Sequence, residues 1–121
     1  AASALLAALL TDRGAELVEA AIEASSISAV NLAEVVTKVV ERGYPEARVL
    51  GYLGQTALRV AAFDELAAYL TGSMRTSTRV AGLSLGDRAC LALGITLVAT
   101  VLTADRAWAT LDLGVRVQVI R

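Results

Sequence analysis

"LSLGDRACLALGITLVATVLTADRAW", residues 83–108, decides how this chain folds. No charge falls between Ala89 and Ala104, and an Arg-followed aspartate stands near each end of the stretch, Asp87 and Asp105. Such a run is either a membrane span or two buried elements in succession. It falls short of the roughly 20 residues a span needs, and Gly94, Thr96, Thr100 and Thr103 interrupt it. The pattern predicts a helix opened by Ser84 and running to about Leu93, then a fully buried strand "LVATVLT", then a short helix capped by Asp105.

Working outward, "VRVQVI" predicts a closing strand. Upstream, "DELAAYLTGSMRTSTRVAG" reads as one helix or two, broken around Gly72, and "LRVAA" as a strand. Residues 46–57 read as a helix weakened by Gly51 and Gly54. "AVNLAEVVTKVVERG" has the helical period, with Val35, Val36, Val39 and Val40 on the core face, Gly43 closing it and Pro45 barring continuation. "SSIS" leans to strand. At the start, Ser3 is placed to cap a short helix through Leu10, and Thr11 to Gly14 turns into a second helix, "AELVEAAIEA". Strands spaced by helices indicate an α/β sandwich around a mostly parallel sheet, and 121 residues suffice for one domain, 1–121.

Composition removes whole classes of chemistry. The chain has no histidine and one cysteine, Cys90. Imidazole acid–base catalysis, Ser-His triads, thiolate metal sites and an intrachain disulfide are therefore excluded. A lone thiol suits a reducing cytoplasm. A formal charge of −1 supplies no global attraction for nucleic acid. At 56% hydrophobic residues, the chain has more apolar surface than a domain of this size easily hides, so a protein partner is expected.

Each acid has a local structural role available. Asp87 follows Ser84 at capping-box spacing, Asp105 is a good N-cap for "RAWATL", and Glu34 precedes Lys38 by one helical turn. Yet ligands of open parallel sheets bind beyond the carboxyl ends of the strands. Glu34, Asp87 and Asp105 all fall near helix starts, with Ser3, Asn31 and Thr103 as polar neighbours. Two carboxylates about 5 Å apart repel by roughly 3 kcal/mol at an effective dielectric near 20. Three acids gathered at one rim therefore call for a proton or a cation. All-oxygen ligation, with no His or Cys among the ligands, selects Mg²⁺ or Mn²⁺, which suits phosphodiester hydrolysis by a metal-activated water. Arg88 and Arg106 are candidates for phosphate contact.

"SAVNLAEVV", "LSLGDRACLALG" and "VLTADRAWA", in this order and spacing, resemble the PIN-domain ribonucleases, specifically the VapC-type toxins of toxin–antitoxin pairs. The resemblance also takes in the opening "SALLAALL" and the closing "LGVRVQVIR". It implies a three-layer α/β/α sandwich and a Mg²⁺- or Mn²⁺-dependent endoribonuclease acting on RNA. It also implies inhibition by a cognate antitoxin, and usually a homodimer. By position it makes Glu34, Asp87 and Asp105 the metal-holding acids, with Thr103 and Ser3 as supporting polar residues.

The sequence departs from that pattern at its start. Family members open with a short apolar strand, central in the sheet, that ends in Asp. Here Ala1 takes the place of that Asp, and the sequence begins there. Three explanations are open: an engineered change, a natural one, or where the sequence starts. Turnover lowered by orders of magnitude is the expectation. The rival reading is a catalytically inactive PIN-like module that still binds an antitoxin or RNA. A phosphoacceptor receiver domain would need a late lysine, whereas Lys38 is the chain's one lysine, and dinucleotide binding would need a Gly-rich strand-to-helix turn that none of the glycines forms.

Overall fold

The computed structural model describes residues 1–10 and 25–120. Its elements run α1 (Ala2–Leu9), β1 (Ser26–Ser28), α2 (Ala29–Glu41), α3 (Ala47–Gly54), β2 (Arg59–Ala61), α4 (Glu65–Ser73), α5 (Arg75–Thr78), α6 (Leu85–Leu97), β3 (Val101–Thr103), a 3-10 turn (Arg106–Thr110) and β4 (Val117–Val119). The turn and second helix expected from Thr11 onward lie outside the described residues.

Side-chain caps set where the main helices begin. The Ser28 hydroxyl accepts from the Val30 N–H at 3.2 Å to open α2, and Asp64 accepts from Ala67 at 2.9 Å to open α4. Helix α2 ends at Arg42, and Gly43, at φ +87°, supplies the left-handed turn beyond it. On its core face Val35 and Val39 are fully buried, but Val40 is half exposed, so the apolar stripe is narrower than the valine pattern suggests.

Two expectations about element ends need correction. Ser3 does not cap α1; Ala1 holds the N-cap position without a side-chain bond, and Ser3 lies inside the helix. Helix α6 continues past Leu93 to Leu97 and stops at Val98, which takes a left-handed conformation (φ 50°). The strand is therefore only Val101–Thr103, and Val98, Ala99 and Thr100 are exposed. An uncharged run carries no periodic signal to mark the switch, and Ala and Leu favour extending the helix.

All observed strand pairing is parallel, as expected for the α/β class. Among the described residues it forms two pairs rather than one continuous sheet: β1 with β2 (Ile27 opposite Val60) and β3 with β4 (Leu102 opposite Gln118). A cleft of about 600 Å³ separates the pairs, with Ser26–Ser28 along one wall, Thr100–Leu102 along the other, and Cys90 and Gly94 of α6 among its lining.

The core is divided in the same way. Leu5, Leu6 and Leu9 of α1 pack with Ile27, Val35, Val39 and Val49. A second cluster joins Met74, Leu83, Cys90, Leu91, Val101 and Trp108. Helix α1 links the two halves, because its other face packs Ala4, Ala7 and Ala8 against Ile120 beside β4. A helix apolar all round must be enclosed on all sides, and α1 is buried from Ala4 to Leu9. No helix among the described residues is long and apolar enough to cross a membrane.

Candidate active site

Glu34 lies on α2, one turn beyond the residue that holds it. The Asn31 side chain, only 2% exposed, donates from Nδ2 to Glu34 Oε1 at 2.9 Å and to the Gly86 carbonyl at 2.9 Å. One amide thus ties α2 to the start of α6. Gly86 makes this approach possible, since a Cβ there would lie 2.7 Å from Glu34 Oε2 and nearer still to Oε1. The expected Glu34–Lys38 pairing gives way to this tertiary clamp. Asn31 Oδ1 is buried and has no hydrogen-bond partner. Leaving such an acceptor unsatisfied costs about 1–3 kcal/mol.

Across the cleft a second group forms around the end of β3. Ser3 Oγ accepts from the Ala104 N–H at 3.0 Å and lies 3.5 Å from Thr103 Oγ1. Thr103, fully buried, accepts from the Asp105 N–H at 3.0 Å. Ser3 thus serves as a tertiary link rather than as a cap, and the two hydroxyls fix the backbone that presents Asp105. The Asp105 carboxylate is exposed and accepts from the Ala107 N–H at 2.9 Å, opening the 3-10 turn.

Asp87 is engaged locally as well. It completes a capping box: the Ser84 N–H donates to Asp87 Oδ2 at 2.9 Å, and the Asp87 N–H donates to Ser84 Oγ at 3.1 Å. Arg88 turns toward α4, where Nη1 donates to the Thr71 carbonyl at 3.1 Å and Nε is buried without a partner. That placement makes it first a tie between α4 and α6. Arg106 is exposed.

A family model described as the PIN domain matches residues 2–113, which spans nearly all of the described chain. The chain belongs to the PIN-domain family. No individual curated protein matches it. PIN domains are, as a class, nucleases that generally depend on divalent metal ions. The mixed α/β architecture with short parallel strands agrees with the PIN-like α/β/α fold.

The donor chemistry of this PIN domain suits a hard cation, because carboxylates, an amide and hydroxyls are present without His or Cys at either group. Its placement does not. Among the described residues no three acids come together as ligands for an ion. Glu34 and Asp105 stand in separate groups, and Ala1, Asn31 and Leu102, which border those groups, all line the intervening cleft. The expected gathering of Glu34, Asp87 and Asp105 around one ion is therefore not what the described residues form.

Gly86 was not among the residues singled out from the sequence. A signal for it exists: glycine inside a helical first turn is unfavourable against alanine by about 1 kcal/mol, so its presence there points to a packing requirement.

Proposed function

We propose that this PIN domain is an endoribonuclease of the VapC toxin kind, using Mg²⁺ or Mn²⁺, whose acids are divided between two half-sites in the residues described. The observation that supports this reading is the shared cleft. Asn31, which clamps Glu34, lines one wall, and Leu102, three residues before Asp105, lines the other. Within the chain, Asn31 and Gly86 hold the Glu34 carboxylate in one orientation, while Thr103 fixes the backbone of Asp105. Arg106 is free to meet a phosphate, whereas Arg88 serves the helix contact first.

A cognate antitoxin and a second copy of the chain are the protein partners proposed. Leu66 and Tyr69 on α4 are 78% and 70% exposed, which leaves apolar surface for one of them. RNA is the proposed substrate and the cytoplasm the proposed location.

The second reading, an inactive module retaining antitoxin or RNA binding, is favoured by one observation: Asp87 and Asp105 are both occupied in helix caps. Mn²⁺ binding followed by electron paramagnetic resonance separates the two. The nuclease reading expects weak binding that tightens at least about tenfold in Ala1→Asp and is lost in Ala1→Asp/Asp105→Asn. Binding absent from all three proteins supports the inactive module.

A further inference from the structure

We propose that Arg88 is a positioning residue for the Glu34 carboxylate, acting through the first turn of α6 and the Asn31 amide. Its own placement needs a tertiary reason. Arg88 stands in the opening turn of α6, where the positive end of the helix dipole disfavours a cation. Its guanidinium instead reaches the end of α4, where Nη1 donates to the carbonyl of Thr71, a residue of that helix's last turn. Carbonyls of a last turn lack intrahelical partners and carry the negative end of the dipole, so Arg88 closes α4 from a neighbouring helix.

Among the described residues no other side chain of that opening turn is hydrogen-bonded to another element. Leu85 is 55% exposed, Gly86 has no side chain, and Asp87 bonds back to Ser84 within the turn. Leu83 and Ala89, on either side, are buried, but apolar packing has no preferred direction. The capping box therefore fixes the shape of the turn, and Arg88 fixes its place against α4.

The place of the turn matters at Gly86. Its carbonyl accepts from Asn31 Nδ2, which also donates to Glu34 Oε1. One amide nitrogen makes both bonds, so a shift of the Gly86 carbonyl turns the amide and with it the donor that holds Glu34. The relay runs from Thr71 through Arg88, Gly86 and Asn31 to Glu34, and joins α4 to α2 by way of α6. Arg88 Nε is buried without a partner, so the side chain gives up hydration to make its one bond.

What the relay does for catalysis rests on the nuclease reading, but its test needs neither metal nor RNA, so the two fail separately. The readout is solvent exchange of the Asn31 Nδ2 protons, followed by NMR. Arg88→Met keeps an aliphatic stem and removes the donor. It should speed that exchange about tenfold beyond any change at the buried core amides of Val39 and Leu91. Arg88→Lys, which restores a donor of similar reach, should recover most of the protection. Unchanged exchange at Asn31, an equal rise at the core amides, or no recovery with lysine overturns the proposal. Should Arg88→Met not fold, a crystal structure of Arg88→Lys decides. The Asn31–Gly86 bond should be kept if the new Nζ reaches the Thr71 carbonyl and broken if it does not, and either mismatch overturns the relay.

Discussion

Glu34 and Asp105 belong to separate groups of side chains and are held by different means. Glu34 is held by an amide one turn away on its own helix, and that amide also grips Gly86, 55 residues from Asn31 in sequence. Asp105 keeps its carboxylate on its own 3-10 turn, while long-range contacts through Ser3 and Thr103 fix only its backbone. The first half-site is set by packing, the second by local capping. Mutations should accordingly disturb the first through stability and the second through charge.

The largest effects belong to the two cores. Leu5→Ala and Leu91→Ala should each cost about 2–5 kcal/mol, measured by urea denaturation. Amide exchange sharpens the comparison: Leu91→Ala should loosen β3 more than β1, and Leu5→Ala the reverse, because these leucines sit in separate clusters. Uniform loosening by both would mean that α1 couples the halves into one unit.

Asn31→Ala should follow, with a loss of about 2–3 kcal/mol, since it removes a buried side chain and both bonds of the clamp. Ser84→Ala should cost about 1 kcal/mol by opening the capping box of α6. Gly86→Ala sets two effects against each other. Helix propensity gains about 1 kcal/mol, while the new Cβ displaces a side-chain carboxylate that is able to swing away. Stability should change by less than about 1 kcal/mol, and a crystal structure should show Glu34 detached from Asn31.

The smallest effect is expected at Asp105→Asn. Asn caps as well as Asp, so stability should hold within about 0.5 kcal/mol even as the charge is lost. A large loss of stability would show that Asp105 does more structural work than its exposed cap implies.

Much of this was legible in the sequence because local chemistry decided it. Ser84 and Asp87, Asp105 with its turn, and Gly43 after α2 each do what their spacing predicts. The α/β class followed from strands alternating with helices, and the motifs around Glu34, Asp87 and Asp105 pointed to the family that residues 2–113 match. The errors arose where tertiary contacts or featureless runs took over. Ser3 reads as a cap but bonds to Ala104, 101 residues away in sequence. The end of α6 is hidden in a stretch without charge or period. Asn31 was recognisable as a polar neighbour of Glu34, but its grip on Gly86 depends on how two helices meet, which neither segment encodes alone.

The most direct test of the account is RNA cleavage with Mn²⁺, comparing this chain with one in which an apolar strand precedes an Ala1→Asp substitution. Turnover should be higher by orders of magnitude in the extended, substituted protein and lost again in its Asp105→Asn variant. Equal and strong cleavage by both proteins would contradict this, as would no cleavage by the extended, substituted protein.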